Sequence, residues 1–376
     1  MVLDAHVPGA SRAEETKILS KKRRIRGWIQ LALFLLFVGF VALVATQFAS
    51  PHEFVDAFAD AVWYWIVAAP VIFAVYFVLN ALLYKLSFQA VEVETTTLRV
   101  LPVMLASIFI NALVPAGGAG AAAIFVEDAV ERGQSGARAM AGVILVLVAD
   151  LGTTIPFVVV GLLYLHQRGH VPIYYTVGSV LFVLIVVLLV LALWLTRARE
   201  AWTERFLSWA GRLVNRVGGF FRHPNLLSES WAPRNARQFS YASTAITKHR
   251  RQLAQVLLLI TFLHLVSMAG LYAIFLAFHH PVGPGVLFAG FSMSVVFYVV
   301  AVLPQGFGAV EGAMSLVLKS LGVPSALAIE TATAYRVFTV WLPLVAGYLF
   351  ARRMPIFKGE LPSKAGDREI VSTDVS

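Results

Sequence analysis

Cysteine is absent from all 376 residues, which rules out disulfides, thiol nucleophiles and cysteine-ligated metals. Charge is also scarce: Asp, Glu, Lys and Arg make up 14% of the chain, against about a quarter in a typical soluble domain. No glycine-rich nucleotide loop occurs, so ATP hydrolysis by this chain is not expected. Nor is there a nucleophile elbow, a His-Glu-x-x-His helix or a paired-aspartate metal motif. The expectation is therefore no cofactor, no metal and no assigned catalytic residue. No DNA- or RNA-binding motif accompanies the net charge of +9. That charge is read instead as Lys and Arg gathered in loops facing the cytoplasm and anionic lipid, with no nucleic acid as partner.

What is abundant is apolar side chain, at 59% of residues where about 45–50% is usual. It comes in blocks of about 20 residues, the length that crosses roughly 30 Å of hydrocarbon. The fold class is thus all-α: a polytopic integral membrane protein of the cell (inner or plasma) membrane. Residues 1–20 and 356–376 are polar and aperiodic and read as disordered cytoplasmic tails. Lys21, Lys22, Arg23, Arg24 and Arg26 precede a first span over Trp28–Phe48 and hold the N-terminus inside. Further spans are expected at Val62–Leu86, Ala139–Leu165, Tyr174–Thr196, Leu253–Phe278 and Pro324–Phe350. Residues 197–251 carry eleven Lys/Arg against three Glu and form a cytoplasmic basic loop. Within it Trp202, Phe206, Trp209, Leu213 and Val217 recur at helical spacing, the pattern of a helix lying in the membrane surface or packed on the protein.

Two stretches are too short to span. Leu98–Leu113 and a following helix to about Arg132 flank Val114-Pro115-Ala116-Gly117-Gly118-Ala119-Gly120. Gly285–Val302 and Ala309–Leu321 flank Leu303-Pro304-Gln305-Gly306-Phe307-Gly308. Each reads as a Pro/Gly-broken re-entrant pair, whose non-helical backbone is tolerated only where protein buries it or a cavity wets it. Pro156, Gly161 and Tyr164 follow the first break much as Pro343, Gly347 and Tyr348 follow the second. The chain thus reads as two repeats, about 62–165 and 252–351, inside a membrane domain of 21–355. Counted from a cytoplasmic N-terminus, the first pair enters from inside and the second from outside, and both termini end in the cytoplasm. About six full spans plus the two broken pairs make about eight membrane segments in an inverted repeat.

The run LPQGFGAVEGAMSLVLKSLGVP, followed by AIETATAYRVFTVWLPLVAGY, resembles the signature of the lysylphosphatidylglycerol synthase transmembrane family, a flippase-like membrane domain. Gly308, Glu311, Gly312, Gly322, Val323, Tyr335, Arg336, Trp341, Pro343 and Gly347 carry the match. Asn111, Pro115 and Gly117 resemble the family's other motif, and Asp150 matches its next span. The likeness covers about residues 20–355. It implies a lipid translocase that moves a phospholipid or glycolipid headgroup between leaflets. Charged positions expected beside the first glycines and before the aspartate are here Ala116–Ala123 and Leu145–Ala149, so the substrate of the charged relatives is not carried over. No soluble aminoacyl-transferase domain follows residue 376, so lysine transfer is not expected.

The broken helices offer N-termini whose free N–H groups suit a phosphate, and glycines that let a headgroup approach. The candidate substrate-binding set is Asn111, Pro115, Gly117, Gly118, Gly120, Asp150, His264, Pro304, Gly306, Gly308, Glu311, Gly312, Tyr335 and Arg336. Glycines at these positions also suit plain helix packing. Asp150 and Arg336 lie at similar depth and are candidates to neutralise one another, with Glu311 as the other candidate partner of Arg336. Arg336 is either half of a structural ion pair or exchanges its carboxylate for a lipid phosphate, a ligand its guanidinium fits in bidentate fashion. Two other readings remain: an integral-membrane lipid-modifying enzyme using Glu311 and His264, and a scaffold for a separate envelope-lipid enzyme.

Overall fold

The computed structural model describes residues 61–113, 119–169, 173–198, 250–301 and 304–352, all within one compact unit, His52–Arg352. The first expected span, Pro115, Gly117, Gly118, the 199–249 part of the basic loop with its amphipathic stretch, and both tails lie outside the described residues.

Among the described residues the regular structure is helical, with no strand. The order is α1 (Trp63–Ala90), α2 (Thr97–Leu113), α3 (Ala119–Glu131), α4 (Gly136–Gln167) and α5 (Ile173–Ala198), then α6 (Arg250–Ala277) and α7 (Pro284–Val300). A 3₁₀ turn (Pro304–Gly306) leads to α8 (Ala309–Ser320), and α9 (Ser325–Arg336) passes through a π turn (Val337–Trp341) into α10 (Leu342–Ala351). Five helical stretches are long and apolar enough to cross a membrane: α1, α4, α6, Ile173–Leu191 of α5, and Ser325–Ala351. They are the five spans that the sequence predicts within the described region. Proline sits inside three of them, at Pro70, Pro156 and Pro343.

α1 and α6 form the central contact and run antiparallel. The Val62 N–H donates to the Ala277 carbonyl at one end (2.9 Å), Phe73 fills the space beside Gly270 midway, and Leu83 packs with Val256 and Ile260 at the other end. α4 and α7 are also antiparallel: Tyr164 lies on Gly285, Gly161 on Ala289, and Ser292 Oγ donates to the Phe157 carbonyl (2.8 Å). α10 packs on α2, where Gly347 faces the Leu105 carbonyl and Tyr348 stacks near Phe109 (5.4 Å between centroids). A Cβ at Gly161 or Gly347 would meet backbone of the neighbouring helix. In a chain without much hydrophobic drive between helices, such close approach of small residues is what holds them together.

The α2–α3 pair returns to the side it leaves. Gln134, just past α3, brackets Glu94, just before α2: its Oε1 accepts the Glu94 N–H (2.9 Å) and its Nε2 donates to the Glu94 carbonyl (3.0 Å). Asp128 of α3 accepts from Arg99 of α2 (3.2 Å) and from Arg132 (2.8 Å), closing the same end. At α7–α8 the entry and exit also meet, with Val282, Leu321 and Val323 in one apolar cluster. α5 has a different character. Val177, Val180, Leu184, Val187 and Val190 are exposed along it, as expected of a helix that faces lipid.

Candidate functional site

Arg336 closes α9 near the middle of its span, where regular helix gives way to the π turn. Pro343 explains the place: it has no N–H to return to the Thr339 carbonyl. The Leu342 N–H reaches back five residues to Val337 instead, and the freed turn is an insertion of the kind that marks functional sites. Thr339 Oγ1 donates to the Tyr335 carbonyl (2.9 Å) and steadies the turn.

Arg336 is 4% exposed, and its hydrogen-bond and ion-pair partners come from the second break and the start of α8. Nε donates to Glu311 Oε1 at 3.0 Å. Nη2 donates to the Gln305 carbonyl. The guanidinium carbon stands 5.8 Å over the Phe307 ring, which in turn lies 5.0 Å from the Trp341 ring. Buried away from water, such a cation is stable only because charge and hydrogen bonds both meet it.

The break is shaped to present these groups. Gln305, Gly306 and Gly308 have φ of +52°, +65° and +78°, the left-handed region that glycine enters freely and other residues enter at about 1–2 kcal/mol. Gln305 accepts that conformation with both ends engaged. Its carbonyl holds Arg336, while its side-chain Nε2 donates to the Ile108 carbonyl of α2 at 3.2 Å. The second break is therefore tied to the helix that leads into the first. Replacing Gln305 with alanine is expected to lower stability by about 1–2 kcal/mol through the lost bridge, read as a lower unfolding midpoint in detergent.

The structure corrects one expectation here. The N-terminus of α8 is not an open anion site, because Glu311 folds back and its Oε2 accepts the Gly308 N–H at 2.8 Å. The chain's own carboxylate occupies the positive end of the helix. Of the two candidate partners of Arg336, the structure pairs it with Glu311 and not with Asp150; the basic side chain beside Asp150 is His264 (Nε2 to Oδ1, 3.9 Å).

Asp150 and His264 form a second polar centre between α4 and α6. His264 is buried and lies edge-on to Phe157 and tilted against Phe291, with centroids 5.0 and 5.4 Å away. Its Nε2 is 3.3 Å from Thr153 Oγ1 and 3.2 Å from Thr154 Oγ1. The Asp150 side chain is 46% exposed, with Tyr76 and Tyr84 of α1 and Tyr298 of α7 within reach of its charge. Tyr298 is also within electrostatic reach of Arg336 and close to Asn111. Tyr335 Oη pairs with Ser267 Oγ at 2.8 Å, three residues past His264 on α6.

Of the residues that the sequence singles out, the structure thus gathers Asn111, Glu311, Tyr335 and Arg336 with the break at Pro304, Gly306 and Gly308, and links Asp150 to His264. Gly120 opens α3 and Gly312 lies in α8 with open space where a Cβ would stand. Gln305, Phe307, Tyr298, Thr153 and Thr154 are site residues that sequence reasoning passed over. The signal for Gln305 was an amide inside an otherwise apolar break. The threonines carried none, since a helical hydroxyl in a span ordinarily bonds its own backbone. At the end closed by Arg99, Asp128 and Arg132, an open cavity of about 750 Å³ also reaches Gln89, Glu92 and Thr95. Beside it, burial pushes the Glu127 carboxyl above its usual range, with Glu131 adding to the rise.

These features define a multi-pass membrane protein with a polar centre buried among broken helices. The profile of the lysylphosphatidylglycerol synthase TM region matches residues 27–347, and the chain belongs to that family. It is 23% identical over 342 residues to a UPF0104 membrane protein of Methanothermobacter thermautotrophicus, covering 89% of this chain and 98% of the relative. A UPF0104 membrane protein of Pyrococcus horikoshii is 22% identical over 271 residues, covering 69% of this chain and 78% of the relative.

Proposed function

We propose that this protein is a lipid translocase that carries a phospholipid or glycolipid headgroup between leaflets, with Arg336 as the group that meets the phosphate. One observation carries the reading: a buried arginine near mid-span is held by a carbonyl and a ring of one strained, glycine-rich break and by a carboxylate in the first turn of the helix that follows it. A lipid phosphate presents the same kind of charge and geometry as the Glu311 carboxylate and can replace it on the guanidinium. Glu311 then keeps its own anchor on the Gly308 N–H.

The packing pattern supports an inverted repeat. Under exchange of the halves, α1 corresponds to α6, α2–α3 to α7–α8, and α4 to α9–α10. The antiparallel α1–α6 contact maps onto itself. The contact of α10 on α2 through Gly347 maps onto that of α4 on α7 through Gly161. Transporters with such repeats bind at mid-membrane between the halves.

Leaflet exchange of headgroup-labelled lipids in liposomes, followed by dye quenching, tests the function. Exchange that needs Arg336 and prefers one headgroup class is expected; its absence from folded protein with every lipid class sinks the reading. Topology is tested separately, because the natural chain has no cysteine. Single cysteines at Glu94 and Gln134 are expected to react with an impermeant maleimide from the cytoplasmic side. Those at Arg168, His280 and Leu321 are expected to react from the opposite side. Labelling of Gln134 and Leu321 from the same side contradicts the inversion.

A further inference from the structure

We infer that the Asp150–His264 centre is a proton site, and that lipid movement by this protein is coupled to a proton carried by the Asp150 carboxylate. The inference rests on the translocase reading for its cargo and on a different part of the molecule for its evidence.

Hydrogen-bond bookkeeping assigns the parts. Thr153 Oγ1 donates to the backbone carbonyls of Ala149 and Asp150 (2.9 and 3.0 Å), and Thr154 Oγ1 donates to that of Asp150 (2.9 Å). Each hydroxyl has one proton and has given it to the backbone. Toward His264 both offer lone pairs, so Nε2 is the donor. With two hydroxyl oxygens as acceptors for it, and Phe157 and Phe291 clamping the ring, His264 is held in one tautomer. It is a positioning residue. The Asp150 carboxylate is the group left free to change its proton. It is half open near mid-span, and the only basic side chain within 4 Å of it among the described residues is the His264 imidazole, at 3.9 Å.

The other titratable groups packed around α4 fit this assignment. Tyr76 and Tyr84 from α1 and Tyr298 from α7 lie within reach of the Asp150 charge and supply neutral hydroxyls. From α5, Tyr175 packs against the far end of α4 near Leu165, with Tyr174 beside it. The ionisable groups of α3 and its end are Glu127, Asp128, Glu131 and Arg132, of which Asp128 and Arg132 belong to the boundary cluster with Arg99 and Glu94. Arg336 is within electrostatic reach of Tyr298 and Tyr335 and is neutralised by Glu311. Asp150 therefore carries an unneutralised negative charge when deprotonated, costly at this depth, and none when it has bound a proton. The Ser267–Tyr335 hydrogen bond (2.8 Å), one turn past His264 and beside Arg336, connects this centre to the headgroup site, and the charges of both Asp150 and Arg336 reach Tyr298. The step is a simple protonation: carboxylate plus proton gives carboxylic acid on one side of the membrane, and the reverse on the other.

The test uses full-length protein in liposomes with a trace of labelled lipid and an imposed pH gradient. One proton per lipid lets one pH unit hold up to about a tenfold ratio of tracer between leaflets. The wild type is expected to build such an imbalance and to lose it with a protonophore. Asp150→Asn is expected to lose the gradient response and the pH dependence of exchange, each referred to its own exchange rate. His264→Leu is expected to move the midpoint of the pH profile, and His264→Gln, which keeps an N–H donor, to restore it toward wild type. Arg336-dependent exchange indifferent to the gradient overturns the coupling and leaves translocation standing. A gradient response retained in Asp150→Asn overturns the assignment of the carrier. A His264→Leu profile superimposed on wild type reduces the histidine to packing. Absence of lipid exchange at every pH overturns the translocase and its coupling together.

Discussion

Arg336→Ala is expected to abolish headgroup-dependent exchange and to destabilise the protein at the same time. The substitution strands the Glu311 carboxylate, which is buried with its side chain 14% exposed, and removes the donor from the Gln305 carbonyl. Breaking a buried ion pair on one side costs about 3–5 kcal/mol, so this variant alone does not separate function from folding. The double variant Arg336→Met, Glu311→Met does. Replacing both partners of a buried pair with apolar groups of similar volume is often neutral for stability, within about 1–4 kcal/mol on the favourable side. The expected result is a double variant that unfolds near the wild-type temperature and still moves no lipid. Arg336→Lys keeps the charge but loses the planar fork. Losing one charge-assisted hydrogen bond of about 1.5–3 kcal/mol slows exchange about 10- to 100-fold. Wild-type exchange by the double variant would make the pair purely structural and end the phosphate-exchange mechanism.

Gly347→Val is expected to be the most damaging single change outside the polar centre. A Cβ there points into the Leu105 carbonyl, and the nearest atoms include the carbonyl carbon of the same residue at 2.8 Å. These are backbone atoms in the middle of α2, so no side-chain rotation relieves the clash. α10 and α2 have to separate, which opens the contact that also contains Phe109 and Tyr348. Overpacking of this kind costs about 1–3 kcal/mol or more. The readout is the yield of monodisperse protein and its unfolding midpoint in detergent. Gly152→Val is the control, since a Cβ at Gly152 meets nothing within 4 Å. An unchanged midpoint for Gly347→Val would mean that α10 does not sit against α2 as described.

Much of this architecture was legible because hydrocarbon is a demanding solvent. A span needs about 20 apolar residues and self-satisfied backbone, so α1, α4, α5 and α6 stand out by length and composition, and Pro304, Gly306 and Gly308 by their conflict with it. Arg336, Glu311, Asp150 and His264 were legible for the same reason: each is expensive in a membrane segment. Their partners were not. Helical spacing relates residues of one helix, and Arg336 meets Glu311 from another. Depth alone made Asp150 an equally good partner, yet the Asp150 carboxylate finds His264, whereas Glu311 sits one turn beyond the turn that delivers Gln305 and Phe307 to the guanidinium.

What the sequence by itself determined is therefore the class of molecule, the five spans within the described residues, the break at Pro304–Gly308 and the short roster of charged residues that need an explanation. These follow from one-dimensional quantities, run length and polarity, measured against bilayer thickness. Only the tertiary structure decided who meets whom. It turned Glu311 onto its own helix end and onto Arg336, bent the last span into a π turn ahead of Pro343, made Gln305 the tie between break and α2, and set the His264 ring between two threonine hydroxyls beside a half-open carboxylate. Those outcomes depend on which helix faces are brought together by Gly161, Gly270 and Gly347, where the absence of a side chain lets helices approach. Close packing across distant segments leaves no periodic trace in the chain.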